Sequence, residues 1–401
     1  MDKWRNIMKV LIIGGGASGM IAALNASLEH EVILLERQSR MGRKLLATGN
    51  GRCNLTNMQL SEKNYHGECA EFCRYALQHF DVEKTLSFFR SLGLLTVAES
   101  NGKVYPYSDS ANSVVDVLRL PLEQRENVRI VTGCEIRSLT RKKGKFIAVS
   151  DDETFVGDSA IICCGGAAGA KLGGTDLGYK LLASFGHSRT KLYPSLVQLR
   201  TDTTFVRSLK GVRADAMVKC GGISNRGEIQ FTDFGVSGPV IFEISRDISE
   251  NDMMLIDFLP DISKEEILEL LQNRIHTMPN LKAEDLMTGL VHNRLGRTIL
   301  RVCGCSLECS CAELTGKLEE IASATKHFSV RVLGSMGMEQ AQVTAGGIKT
   351  DEFRADTLES RICKGLYAAG EVLDIDGDCG GYNLQWAWSS GFLAGELRGN
   401  T

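Results

Sequence analysis

The chain lacks a long apolar run. Its first apolar stretch, Val10 to Ile13, is cut off by three glycines, and Met1 to Lys9 is polar and charged, so neither a secretory signal nor a membrane span is expected there. A charge excess is missing too. The formal net charge is −3, whereas a nucleic-acid surface needs a basic surplus to displace counterions from phosphate. No polybasic tract suited to a membrane surface occurs. These absences point to a cytoplasmic protein that acts on a small-molecule substrate, with no nucleic-acid and no membrane partner, and they leave the oligomeric state unknown. Repeats of solenoid length and low-complexity linkers are also absent, so the domains of a 401-residue chain should dock rather than float.

Cysteine is plentiful at 13 residues, but C-x-x-C pairs are not found. An odd count in a long chain argues against a disulfide framework. Cys303, Cys305, Cys309 and Cys311 fall in C-x-C-x3-C-x-C spacing with no close histidine, which suits buried or partly exposed thiols on a helical segment better than a metal site. No Ser-His-Asp order is present. The seven histidines are scattered, and Ser237, in Gly235-Val236-Ser237-Gly238-Pro239, reads as part of a tight turn rather than a nucleophile elbow.

What the chain does contain is a glycine fingerprint. Gly14-Gly15-Gly16-Ala17-Ser18-Gly19 follows the first apolar run, and Glu36, with Arg37 beside it, closes the next, Val32 to Leu35. Gly14 allows the tight turn out of a strand, Gly16 lets backbone approach a pyrophosphate, and Gly19 lets the following helix pack on the sheet. Ala17 and Ser18 would offer backbone N–H groups at the helix start, and Glu36 would accept ribose hydroxyls.

The strand, a helix over Ala17 to Leu28 and the second strand form a βαβ start, so the first domain is α/β with a parallel sheet. Asp81 caps a helix to Leu92 with Gly93 as terminator, Ser110 begins another to about Leu120, and Asn101-Gly102 suggests a hairpin. Val128 to Val131, Phe146 to Val149 and Ala160 to Cys163 suit a β-meander returning to the sheet. From about Lys191 strand-like pieces (Ser195 to Leu199, Ala214 to Lys219, Glu228 to Thr232) indicate a separate β-rich domain. Ser263 with Glu266 is a capping box ahead of Ile267, Leu268, Leu270, Leu271 and Ile275, and Ser310 with Glu313 repeats that signal. The last strand, Gly365 to Ala369, runs into Gly370-Glu371, and Gly380 to Asn383 opens a helix to about Leu397. The expected division is 1–190 with 343–401, then 191–259 with 327–342, then a helical insert or lid over 260–326.

Gly42-Arg43-Lys44, Thr48-Gly49-Asn50-Gly51-Arg52-Cys53-Asn54 and Thr56-Asn57, followed by Gly165-Gly166, Thr175 to Tyr179, Gly227 to Pro239 and Ala368 to Gly391, together resemble the aminoacetone-oxidase-like or BaiN-like flavoprotein family, of the glutathione-reductase type. The resemblance covers nearly the whole chain. It implies a Rossmann-like FAD-binding domain with an inserted β-barrel-like domain and a small helical domain. It also implies that Arg43 and Lys44 bring positive charge to the cofactor and that the Gly49–Asn54 turn runs along the flavin. Ile136 would contact adenine through its backbone, Glu371 and Asp374 would lie by the ribityl chain and pyrophosphate, and Gly380 to Asn383 would open the helix at the pyrimidine edge, with Asn383 and Leu384 among the cofactor-binding residues. Asp233 stands where the family pattern places histidine.

The family chemistry implies an oxidoreductase. NAD(P)H-driven reduction of a conjugated C=C, such as a 3-oxo-4,6-diene bile-acid intermediate, is the first reading. An amine oxidase acting on a small amino ketone with oxygen, and a flavin-binding protein without turnover, are the alternatives. No second glycine fingerprint marks a nicotinamide domain. Tyr193, Asp233 and Tyr382 are the candidates for proton transfer or substrate positioning. Trp386 and Trp388 are expected to pack the last helix.

Overall fold

The structure is a computed structural model, described here for residues 7–398. Strand Lys9–Ile13 lies in the middle of a five-stranded parallel sheet, ordered 366–368, 159–162, 9–13, 31–35, 128–131. Val10, Leu11 and Ile12 are fully buried, as expected for a parallel strand covered on both faces. Each such side chain contributes about 1.5–3 kcal/mol of burial.

Helix Ala17–Ala26, two residues shorter than expected, packs along helix Tyr382–Gly395. Close approach requires glycine: a Cβ at Gly391 would strike the Ser18 carbonyl, and one at Gly395 would come 2.7 Å from the Ala22 oxygen. Trp386 and Trp388 are buried and donate Nε1–H to the Gly370 carbonyl at 3.1 Å and the Leu55 carbonyl at 2.9 Å, so both tie the helix to the backbone of neighbouring loops.

Asp81 caps helix Val82–Ser91 by accepting the Lys84 N–H at 2.8 Å, and Gly93 follows with φ +91°. The hairpin forms between Thr96–Ala98 and Lys103–Pro106. Helix Ala111–Gln124 runs past Leu120 and through Pro121, because Leu118 and Leu122 bury on its core face; Ser110 makes no side-chain cap. Val128–Val131 is not part of the meander. It pairs in parallel with Glu31–Leu35, and the meander is Ile136–Lys142, Lys145–Ser150 and Thr154–Gly157 before the chain re-enters the sheet at Ser159–Ile162. Isolated four-residue apolar runs carry no signal for which neighbour they will pair with.

The chain divides into two compact units, one running to Pro194 and resuming at Gln342, the other Ser195–Ala341. The second unit is built on a closed six-stranded barrel: 199–201, 235–237, 223–231, 213–220, 253–257, 328–335. Closure leaves no open sheet edge. Three expectations fail in this unit. Ser195 to Leu199 is not one strand, since Leu196 has φ +51° and the barrel strand begins at Leu199. Gly235–Ser237 is a barrel strand followed by helix Pro239–Ile244, not a tight turn. Ser310 and Glu313 do form a capping box, but it opens a 3-10 segment, Cys311–Lys317, ahead of helix Leu318–Lys326.

The Ser263–Glu266 box starts helix Lys264–Thr277, whose Ile267, Leu271 and Ile275 bury while Leu270 faces outward. These residues join Leu295, Ile299 and Ile321 and the barrel residues Ile256, Phe328 and Val330 in one core. All thirteen cysteines are free thiols. Cys303 caps helix Asn293–Val302 and Cys311 opens the 3-10 segment, so the cysteine cluster spans a loop rather than one helix. Among the described residues no helix is long and apolar enough to cross a membrane.

Candidate functional site

The glycine loop leaves the C-terminal end of the central strand, and each glycine has its own reason. Gly14 has φ +110°, and a Cβ there would strike the Cys163 carbonyl; a Cβ at Gly19 would strike the Gly14 carbonyl. Among the described residues, a Cβ at Gly16 would meet nothing within 4 Å, so that backbone faces open space. Gly16 caps the helix without a side-chain hydrogen bond, which leaves first-turn N–H groups at Ala17 and Ser18 available to an anion. Glu36 bridges the loop to the second strand: Oε2 accepts the Gly15 N–H and Oε1 the Gln38 N–H, both at 2.7 Å. Arg37 donates to the Gly173 carbonyl at 2.9 Å, and Arg43 to Gln38 Oε1 at 2.7 Å.

The 3-10 segment Leu45–Gly51 is broken by left-handed backbone. Gly49 and Asn50 both have φ +56°, Gly51 +86° and Cys53 +63°. Asparagine tolerates this region, but cysteine there is uncommon. Cys53 is fully buried, and burial pushes its thiol up to about 12. Arg52 turns onto the hairpin, pairing with Glu99 at 3.0 Å and with Asp109 while its guanidinium lies 4.0 Å over the Tyr105 ring. Its side chain therefore braces the loop. The Asn54 Oδ1 atom is buried and has no hydrogen-bond partner among the described residues.

The chain's last sixth returns to this place. Gly370 (φ +78°) has Ser18 against it and donates its N–H to Ser390 Oγ at 2.9 Å. Glu371 receives Lys44 Nζ at 2.8 Å and accepts the Thr344 N–H at 2.8 Å. Gly166 cannot carry a Cβ because Thr344 Oγ1 and Glu371 Oε1 occupy that space, and Gly165 has φ +69°. Asp374 is buried and accepts the Glu68 N–H at 2.9 Å. Asn383 clamps Gly377, accepting its N–H at 2.8 Å and donating to its carbonyl at 2.7 Å; Leu384 packs half-buried beside it. Ile136 is buried at the head of its strand, two residues after Cys134, whose N–H reaches the Glu36 carbonyl at 2.9 Å.

The structure thus joins 14–19, 36, 44, 166 and 370–371 by direct contacts. Sequence reasoning missed Thr344, which holds Glu371 and accepts the Ala168 N–H at 2.8 Å, and Tyr105 with Glu99 and Asp109. Single residues far along the chain, outside any motif, give no signal of such roles. Tyr382 is buried with its ring edge-on to Tyr65, and Tyr193 is half-buried in strand Tyr193–Ser195. Asp233 belongs to the barrel unit, exposed and paired with Lys210 at 2.7 Å.

The sequence pattern of a family described as HI0933-like protein Rossmann domain matches residues 8–397. The chain belongs to the HI0933-like family. It is an FAD-dependent oxidoreductase. It is 38% identical to the 3-dehydro-bile acid delta(4,6)-reductase of Clostridium scindens, over 96% of this chain and 98% of that protein. It is 29% identical to the ribosomal RNA dihydrouridine synthase of Escherichia coli, over 96% of each. The fold of this HI0933-like chain is similar to that of 3-ketosteroid-delta4-(5alpha)-dehydrogenase from Rhodococcus jostii RHA1 (TM-score 0.50, 12% identity, 100% of this chain and 98% of that one). The open backbone at Gly16, the unsatisfied first-turn amides and the acid at Glu36 fit a bound dinucleotide.

Proposed function

We propose that this protein reduces a carbon–carbon double bond conjugated to a carbonyl in a small molecule, with NAD(P)H as electron donor. A 3-oxo-4,6-diene bile-acid intermediate is the favoured substrate. The observation that carries this reading is the 38% identity to the C. scindens reductase along almost the whole of both chains. FAD, held by the residues named below, would supply the hydride chemistry that links the nicotinamide to the substrate. An enone accepts hydride at its β-carbon and a proton at its α-carbon, so the protein must hold the carbonyl and offer an acid.

In this reading the Ala17 and Ser18 amides and Gly14, Gly16 and Gly19 cradle the pyrophosphate, with Glu36 and Arg37 at the ribose and Ile136 at adenine. Arg43 and Lys44 add positive charge, and the Gly49–Asn54 turn lies along the ring. Gly165, Gly166, Gly370, Glu371 and Asp374 follow the ribityl chain, and Asn383 and Leu384 set the last helix's N-terminus at the pyrimidine edge, where its dipole favours negative charge. Tyr193 and Tyr382 are phenols that can donate a proton. Asp233 is a poor acid near neutrality, as any exposed aspartate is, and the Lys210 hydrogen bond holds its carboxyl lower still; substrate positioning is the role left to it.

The E. coli relative favours a second reading, since the uracil C5=C6 bond is also conjugated to a carbonyl and calls for the same hydride and proton. Charge speaks for the small molecule. Residues 195–341 contain 16 lysines and arginines against 20 aspartates and glutamates, and Lys210, Arg213, Arg226 and Arg297 each face a carboxylate. An RNA-binding surface needs the opposite balance.

The test is an anaerobic visible spectrum of the purified protein. NAD(P)H should bleach the flavin, and a 3-oxo-4,6-diene steroid should restore its colour while uracil-containing ribosomal RNA does not. Restoration by RNA alone would move the assignment to the second reading. A flavin that neither nicotinamide reduces would remove the proposed donor.

A further inference from the structure

His187 is buried at 4% exposure, yet every polar atom of its ring is engaged. Nδ1 lies 2.7 Å from Glu352 Oε2, Nε2 lies 2.8 Å from Ser360 Oγ, and the ring stacks on Phe353 with centroids 4.5 Å apart. Ser360 Oγ accepts two backbone N–H groups, from Ile362 at 3.0 Å and Cys363 at 2.9 Å. Those donors occupy the oxygen's lone pairs, so its own proton is directed at Nε2. Nε2 is then the acceptor, and Nδ1 carries the proton donated to Glu352: a neutral imidazole in one tautomer. The order resembles a Ser-His-acid relay, but Ser360 is 4% exposed and its lone pairs are spoken for, so it is no nucleophile.

This clip joins two distant segments. Ser188 adds its N–H, at 3.1 Å, and its hydroxyl to Glu352, and Thr190 N–H reaches the Gly347 carbonyl at 2.9 Å. The strap from 347 to 363 lies against the candidate site: Ile348 N–H donates to the Val372 carbonyl and Asp374 N–H to the Ile348 carbonyl, both at 2.9 Å. Among the described residues, Glu352 is the charged group that acts on His187. Of the others nearby, Glu359 is engaged with the Gly365 N–H, Arg361 with the Phe353 carbonyl and Lys349 with Glu68, and neither Asp351 nor Arg189 is among the groups that act on His187.

We propose that the His187–Glu352–Ser360 clip is an acid-sensitive latch that couples pH to cofactor retention. Protonation of Nε2 sets two donors face to face, His187 N–H against Ser360 O–H, in a buried place where the Ser360 oxygen already accepts two N–H groups. The strap then loosens, and with it the Val372–Asp374 backbone that it braces. The coupling rests on the reading that Glu371 and Asp374 lie along FAD; the latch itself does not.

The sign follows from the two groups. Burial pushes His187 below the ordinary histidine value against the pull of Glu352. Its stabilising contribution is therefore complete above that ordinary value and is lost as pH falls below it. Burial alone would lift Glu352, but the hydrogen bonds from Ser188 and His187 outweigh it and hold the carboxyl low, so its contribution is lost in the same direction at lower pH.

The experiment follows the His187 ring by NMR through a pH titration of the apo protein, beside FAD fluorescence of the holoprotein. The His187 midpoint should lie below that of an exposed histidine, and Ser360→Ala, which frees an unopposed Nε2, should raise it. FAD release in the wild type should track the wild-type His187 midpoint and should follow it upward in Ser360→Ala. A midpoint unmoved by Ser360→Ala overturns the latch. Release that ignores the shifted midpoint overturns the coupling. If the protein takes up no FAD, the cofactor reading fails, while the apo titration still decides whether the latch exists. His187→Gln, read by thermal melting of the apo protein, should flatten the pH dependence between the histidine and carboxylate ranges; an unchanged slope there also overturns the latch.

Discussion

The Glu36 carboxylate sits 2.7 Å from the Gly15 N–H, so the acid that ends the second strand also holds the glycine loop in shape. One side chain thus links the geometry of the loop to recognition of what the loop binds. Hydrogen bonds to a charged group contribute about 1.5–3 kcal/mol. Glu36→Gln loses the charge and one of the two accepted hydrogen bonds, because its amide nitrogen donates and cannot accept, so its Tm should fall while FAD binding weakens by roughly tenfold or more, as read by flavin fluorescence. A variant that binds FAD with wild-type affinity would show that Glu36 only props the loop.

Gly16 and Gly19 should respond in opposite ways to alanine. The Gly19 Cβ has no room, because the Gly14 carbonyl fills the position, so Gly19→Ala should lower stability by several kcal/mol or prevent folding. The Gly16 Cβ enters open space, so Gly16→Ala should melt near the wild-type temperature and yet take up FAD poorly. Calorimetry of the apo proteins beside cofactor titration separates the two effects.

Removing one hydrogen bond should loosen the last helix. Trp388→Phe leaves the Leu55 carbonyl without the indole donor in a fully buried setting. The expected loss is about 1–3 kcal/mol in urea unfolding. A change under roughly 0.5 kcal/mol would mean that packing alone seats this residue.

Thiol reactivity should be sharply graded. Burial pushes Cys53 and Cys163 up to about 12, so at pH 8 almost none of either is thiolate, and both should resist alkylation in the folded protein. The partly exposed thiols, Cys134 and Cys309 among them, should label first. Mass spectrometry of timed iodoacetamide labelling reads the order, and early labelling of Cys53 would contradict its burial.

The capping box ahead of helix Lys264–Thr277 is satisfied in both directions, Glu266 N–H to Ser263 Oγ at 3.1 Å and Ser263 N–H to Glu266 Oε2 at 2.8 Å. Ser263→Ala should cost about 0.5–2 kcal/mol. Chemical denaturation of the full chain tests it.

The legible parts of the chain were those where local chemistry dictates local shape. The Gly14–Gly19 turn, the Asp81 cap, the Asn101-Gly102 hairpin and the Ser263–Glu266 box each declare themselves within a few residues. Pairing across distance did not. Nothing near Val128 says that it will lie beside Glu31–Leu35, and Gly235–Ser237 resembled a turn because barrel closure, not local preference, extends it. In the candidate site the residues within motifs were visible, whereas Thr344 was not, because its role depends on Glu371 arriving from 27 positions away. The Gly49–Cys53 turn shows the same limit, since two of its left-handed residues are not glycine.

The strand Leu366–Ala368 occupies one edge of the parallel sheet beside Ser159–Ile162, although some two hundred residues separate them. During synthesis, the barrel's last strand, Phe328–Ser335, emerges before this edge does. The ribosome therefore releases a chain whose barrel can already be closed while its nucleotide sheet still lacks a strand. Until then the Ser159–Ile162 edge stands open, a place where a stalled or truncated chain would pair with whatever strand it meets.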